Sequence, residues 1–334
     1  MPRKKSRTND PAPIIMVNAM KSRYKDIFTL IDESVKHLKT MRDDFHWDDR
    51  CYFPSFFVDT LSEYLRKNDN INFKHQECGI LTQLAAWRQY KQIFSIDGDF
   101  ADVLFESATD EIVLYDLLYA LPYNSFYVEF NGESALKSDG FFFTFDMLGD
   151  DDPVVSLMNV EHDMSVTSMI VHIKPNFTIK DSLNEIKRLC KLGNVEMDKK
   201  SFDTLSDFVQ KALQIVIYLC TVNADVNENE NQKKYMRRPS AKSLEKDVAR
   251  EVQKWDVGYR IGSSLRASKS YSNSVSISHS GSHTPKRPHS RRGHFHRFWT
   301  GSEKDGSRKL VVKWIAPMFI HGSDSDTAVI RKIN

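Results

Sequence analysis

The chain has 334 residues, enough for one large hydrophobic core or two modest ones. Its 40% apolar and 11% aromatic content excludes a disordered chain. The formal net charge of +2 conceals a division: residues 8–232 carry 21 basic and 37 acidic side chains (net −16), whereas residues 233–321 carry 20 basic and 6 acidic (net +14).

Along the chain, residues 1–13 read as a disordered basic tail. Ile27, Leu30, Ile31, Val35, Leu38 and Met41 recur at helical spacing and predict a first amphipathic helix, with two more over 56–67 and 76–94. Segments 125–130 (SFYVEF), 141–146 (FFFTFD) and 166–173 (VTSMIVHI) read as strands, and Asn131-Gly132 and Asp139-Gly140 suit antiparallel connections between them. Helical spacing returns at Leu183, Ile186 and Leu189, with Thr178 as a cap. It returns again from Phe202 to Cys220, apolar enough for a buried central helix.

Past Asn223 the sequence becomes polar. Leu244, Val248, Val252 and Trp255 suggest one further helix, and 258–265 a strand. Eight serines fall in the fifteen positions 268–282, the composition of a flexible loop. The expected class is α+β: a helical N-terminal region, a small antiparallel sheet, further helices and a basic C-terminal β-hairpin appendix. The expected division is a tail (1–13), an acidic α+β body (14–226), a linker and helix (227–262), a Ser-rich loop (263–284), a basic His/Arg hairpin (285–322) and a second tail (323–334).

The hairpin carries the chemistry. PKRPHSRRGHFHRFWTG (285–301) interleaves Arg287, Arg291, Arg292 and Arg297 with His289, His294, His296 and three aromatic rings, around Gly293. So many charges cannot be buried in pairs, whereas guanidinium forks suit phosphate oxygens and aromatic faces suit stacked bases. The expected RNA- or phosphate-binding residues are therefore Arg287, His289, Arg291, Arg292, Gly293, His294, His296, Arg297 and Trp299, with Trp314 and Pro317 of VVKWIAP supporting them structurally. Histidines beside arginines also suit general acid–base cleavage of RNA, which leaves a ribonuclease open without assigning any catalytic residue. Nothing points to a resident metal. The acidic run 149–152 reads as an exposed turn, Asp43, Asp44, Asp48 and Asp49 as a solvated loop, and the arginines around the histidines would repel a cation.

No Walker, dinucleotide-binding, HExxH or GxSxG motif occurs, so no cofactor and no small-molecule substrate is expected. Cys51, Cys78, Cys190 and Cys220 lack metal-ligand spacing and read as buried free thiols of a reducing compartment. The longest apolar run, near 215–220, is too short to span a membrane, and a cytoplasmic protein is expected.

Seven segments, in order, resemble the type V-A anti-CRISPR family of phage and plasmid proteins. They are CYFPSF (51–56), LAAWRQYKQIFSID (84–97), LPYNSFYVEF (121–130), LQIVIYLCTVNADV (213–226), VGYRIGSSLR (257–266), RPHSRRGHFHRFWTG (287–301) and VVKWIAP (311–317). The resemblance covers nearly the whole chain, from about Ile27 to Phe319, although Ser290 stands where an aromatic residue is expected. The resemblance implies a protein of the bacterial host cytoplasm that suppresses production of the type V CRISPR effector nuclease. Its implied partners are the nascent N-terminal part of the effector polypeptide and the mRNA or ribosome, and its implied effect is loss of the translated message. A nucleic-acid-binding regulator of a mobile element is the alternative. It would read DNA through a helix carrying Lys246, Arg250 and Lys254.

Overall fold

The computed structural model describes residues 10–40, 48–68, 75–109, 112–118, 121, 123–131, 136, 138–149, 152–194, 197–228, 252–275, 286–304, 306 and 308–322. Helices α1 (Ala12–Arg23), α2 (Ile27–Thr40), α3 (Val58–Asn68) and α4 (His75–Tyr90) make a helical N-terminal region. The chain then enters β1 (Gln92–Asp97) and α5 (Gly98–Phe105), followed by α6 (Leu114–Leu118), β2 (Ser125–Asn131), β3 (Gly140–Met147), β4 (Pro153–Val160) and β5 (Val166–His172). Helices α7 (Ile179–Leu192) and α8 (Lys199–Leu219) come next, then β6 (Val226–Glu228), β7 (Gln253–Val257) and α9 (Tyr259–Val275). Strands β8 (Lys286–Arg291), β9 (His294–Thr300), β10 (Lys309–Ile315) and β11 (Met318–Gly322) follow.

The class is α+β, as the sequence implies. The sheet, however, is larger than expected and mixed: seven strands in the order β5-β4-β3-β2-β1-β7-β6, with β1 parallel to both β2 and β7 and the other pairs antiparallel. Helices cover both of its faces. Trp87 of α4 meets Phe142 edge-on, with ring centroids 6.3 Å apart, while the adjacent Phe141, pointing the opposite way, meets Phe208 of α8 at 6.0 Å. Coverage on both sides explains why every residue of β1 and β3 is buried, and why FFFTFD shows no polar face.

Local chemistry sets the boundaries. Thr178 and Asp181 form a reciprocal capping box at the start of α7. The expected helix over 76–94 stops at Tyr90, because Lys91 takes a left-handed φ of 51° and the fully buried QIFSID pairs as a strand. Helix α1 begins inside the expected tail, at Ala12, with proline tolerated in its first turn. Its apolar residues lie on all sides rather than in a stripe, and so gave no amphipathic signal.

Three expectations near the C-terminal end are corrected. Trp255 stands in β7 and not in a helix, pairing with Phe94 of β1, and Lys254 ion-pairs with Glu129 across the sheet. Residues 258–265 are not a strand, and the Ser-rich stretch is not a loop before Val275, because α9 runs through both. Its serines at 264 and 268 donate back to the carbonyls of Arg260 and Ser264 and so remain compatible with a helix. Residues 229–251, which include Lys246 and Arg250, lie outside the described residues.

Candidate nucleic-acid interface

The basic segment folds into a long two-stranded ribbon. β9 pairs with β10 in continuous antiparallel register from Lys309↔Thr300 to Ile315↔His294, and β8 pairs with β11 from Met318↔Arg291 onward. Between the two ladders, Arg292-Gly293 on one strand and Ala316-Pro317 on the other leave the pairing. Proline has no N–H to give a ladder, so Pro317 marks the interruption chemically.

At this interruption the ribbon lies against the body. Gly293 is buried, and a Cβ there would stand 2.9 Å from Ser107 Oγ and 3.2 Å from Trp314, so only glycine fits without displacement. Ala108, after α5, bridges to His294 in parallel fashion. Trp314, Phe295 and Val312 are buried in the core, and the Trp314 indole N–H donates to Ser107 Oγ at 3.0 Å. Asn223 clasps the backbone of Trp314, its amide donating to the carbonyl at 2.9 Å while its oxygen accepts the N–H at 3.1 Å. The ring of Trp314 completes an aromatic trio with Phe100 and Tyr218, at centroid separations of 5.4 and 5.6 Å. The expected C-terminal hairpin is thus present and docked onto the fold through Trp314.

Behind the trio stand two buried carboxylates. Asp97 caps α5 by accepting from Phe100 N and receives both Arg266 Nη atoms, at 3.0 and 2.9 Å. Asp225 receives the Arg260 guanidinium, the Arg260 backbone N–H and the Asn227 amide. Gly258 joins them with a φ of 73°, and a Cβ there would run into the Phe100 ring at 2.1 Å. Ser107, Asn223, Asp97, Asp225, Arg260 and Arg266 were not singled out from the sequence. Their partners lie up to 207 positions away, and short-range patterns carry no trace of that.

The expected binding residues separate into groups. Arg292, His294, His296, Arg297 and Trp299 are exposed, Trp299 at 58%. Gly293 and Trp314 are buried and structural, and Pro317, partly buried, is structural by position. Arg287, His289 and Arg291 stand on β8, His289 and Arg291 in register with Ile320 and Met318 of β11 and Arg287 where the register shifts, and their side chains lie outside the described residues. Strand alternation puts His294, His296 and Phe298 on one face of β9. On that face the His296 and Phe298 rings stack at 6.3 Å and 15°, and Lys313 Nζ sits 4.7 Å from the Phe298 centroid. Emerging from the other face, Trp299 has the Arg308 guanidinium 4.7 Å over its ring. The arrangement offers cations and aromatic faces side by side, chemistry suited to phosphates and bases.

A family model described as AcrVA2-like, the anti-CRISPR type V subtype A2 family, matches residues 94–322, more than half of the chain. The chain belongs to this anti-CRISPR family. The match runs from β1 to the end of β11, so the segment CYFPSF and most of LAAWRQYKQIFSID precede it. A solved structure, the crystal structure of AcrVA2, is similar over 93% of this chain and 99% of its own, with a TM-score of 0.59 at 16% identity, a likeness of fold. A search of curated proteins finds no match.

In this anti-CRISPR family member, four segments that carry the resemblance meet at one place. VGYRIGSSLR supplies Gly258, Arg260 and Arg266, and LQIVIYLCTVNADV supplies Tyr218, Asn223 and Asp225; RPHSRRGHFHRFWTG supplies Gly293 and Phe295, and VVKWIAP supplies Trp314. Much of the motif chemistry therefore builds the seat of the ribbon. Other groups serve the fold. Burial raises the Cys51 thiol well above its ordinary range and raises the Asp146 carboxyl, with Ser55 and the Met147 N–H donating to Asp146. Asp152, at the end of the β3–β4 turn, lies 3.4 Å from the His172 ring, and Asp48 pairs with Arg50. No helix among the described residues is long and apolar enough to cross a membrane.

Proposed function

We propose that this anti-CRISPR protein acts in the bacterial host cytoplasm on the making of a type V effector nuclease. It recognises the nascent N-terminal part of the effector and brings about loss of the message being translated. Family membership supports an effector as the target. The observation that carries the reading further is the division of charge: a body of net −16 with a ribbon from the +14 segment fixed onto it through Trp314. An acidic surface favours a basic peptide and a basic ribbon favours RNA, and both attractions weaken with salt. Held in one rigid unit, the two surfaces engage a ribosome that presents peptide and message together. The regulator alternative loses support, because Lys254 belongs to a sheet strand and not to a recognition helix.

The test compares two effector messages, one recoded synonymously through its N-terminal region and one frameshifted early with nearly identical RNA. Loss of the recoded message and survival of the frameshifted one are expected. Equal loss of both would mean that RNA sequence is read directly.

A further inference from the structure

Docking of the ribbon is complete without its outer end. Phe295, Val312 and Trp314 already anchor it in the core, and Gly293 sets the contact with Ser107. Yet two more aromatic residues follow immediately, Phe298 and Trp299, on opposite faces of β9. Neither is needed for the anchor, and Trp299 leaves 58% of its surface open to water. Each ring has a cation close to it, Lys313 beside Phe298 and Arg308, itself ion-paired at 2.8 Å with the exposed Glu303, over Trp299, and His296 stacks nearly parallel on Phe298. Phosphate binding alone would use the cations and have no need of the rings. Rings bearing cations at the end of a basic ribbon, Trp299 exposed and Phe298 half-buried, suit a ligand that presents flat faces and negative charge at one spacing.

We propose that the outer end of the ribbon, at His296, Phe298, Trp299, Arg308 and Lys313, is a stacking site for unpaired nucleotides. One base lies on the Phe298 face beside His296 and another on Trp299, and Lys313 and Arg308 take the adjoining phosphates. A duplex is a poor ligand, because its base faces are already stacked on one another. Recognition is tolerant of sequence, because every base has a π face. This rests on the reading of the ribbon as the RNA-facing part of the protein, and it specifies the single-stranded state as the one bound.

The experiment measures binding of the full chain to a labelled single-stranded RNA of about twelve nucleotides, to DNA of the same sequence and to the matching RNA duplex, across a salt series. The single strand is expected to bind at least about tenfold tighter than the duplex, with DNA within a few-fold of RNA, since stacking does not use the ribose hydroxyl. Phe298→Leu and Trp299→Leu keep apolar bulk and remove the aromatic face. Each is expected to weaken single-strand binding roughly tenfold with an unchanged melting temperature and salt slope. Lys313→Gln is expected to lower the slope by about one. Duplex binding as tight as single-strand binding, exclusion of DNA, or leucine variants that bind as the parent does would each overturn the stacking site and leave the phosphate reading of the ribbon standing. Absence of binding to any of the three would overturn both.

Discussion

The indole N–H of Trp314 meets the hydroxyl of Ser107 at 3.0 Å, bonding strand β10 to the turn after α5 across 207 positions of sequence. Around that bond the chain has packed a glycine, an asparagine clasp and two aromatic rings, so the position of the basic ribbon depends on it. Trp314→Phe keeps most of the ring and loses the donor, at an expected cost of about 1 kcal/mol, whereas Trp314→Ala opens a cavity and costs about 3–5 kcal/mol. Urea unfolding followed by circular dichroism measures both. Equal effects of the two variants would remove packing as the reason for the tryptophan.

Gly293 and Ser107 should be coupled. A methyl group at 293 would meet Ser107 Oγ at 2.9 Å, so Gly293→Ala is destabilising, and Ser107→Ala in the same chain should recover part of the loss. A double-mutant cycle is expected to show an interaction of about 0.5–3 kcal/mol. Strict additivity would place the strain of Gly293→Ala elsewhere.

For phosphate contact the expected signature is ionic. Arg292 is exposed beside the ribbon's interruption, and Arg291 is the last residue of β8. Replacing both with alanine should lower the salt slope of RNA binding by about two and leave the unfolding midpoint nearly unchanged. A slope that does not move would make this part of the ribbon purely structural.

Helix α9 separates two kinds of serine-rich sequence. Its first part holds Arg266, bidentate on the buried Asp97, so removing 263–275 should abolish the fold, while shortening 276–285 by a few residues should change stability by less than about 1 kcal/mol. Arg266→Ala leaves the Asp97 carboxylate with fewer partners. The expected cost is about 1–2 kcal/mol, less than for a sealed ion pair, because the guanidinium is nearly half exposed to water. Thermal unfolding of the three variants decides the matter, and tolerance of the 263–275 deletion would show α9 to be dispensable.

Asp146 gives a pH dependence of definite sign. Burial raises its carboxyl above the ordinary range, against the donors from Ser55 and Met147. Its contribution to stability is therefore fully present below the unfolded value, about 3.9, and is lost as pH rises through the raised folded value. Asp146→Asn has no such titration. The stability of the parent relative to this variant should fall as pH is raised from 4 toward 7, as followed by melting temperature; a constant difference would mean that the carboxyl titrates normally in the fold.

How much of this was legible depends on the range of the interaction. The Thr178 cap, the apolar stripe of α8 and the strands built on SFYVEF and FFFTFD follow from spacing within a few residues, and all appear where the sequence places them. The parallel pairing of β1 with β2 and β7 did not, because QIFSID and QKWDV are short apolar runs whose partners lie far along the chain. Serine content argued for a loop at 263–275, but tertiary contacts through Leu265 and Arg266 override a weak propensity. The basic, aromatic character of the ribbon was legible as composition; its division into anchor residues and outward residues required the register of β9 on β10.

Closing the aromatic trio with Trp314 has a consequence for how the protein is made. Phe100 and Tyr218 leave the ribosome long before the ring that covers them, so the growing chain carries an uncovered apolar seat until β10 arrives. Contacts of such long sequence separation form late and slowly. A protein proposed to act on another chain during its synthesis thus finishes its own core only after residue 314 has been translated.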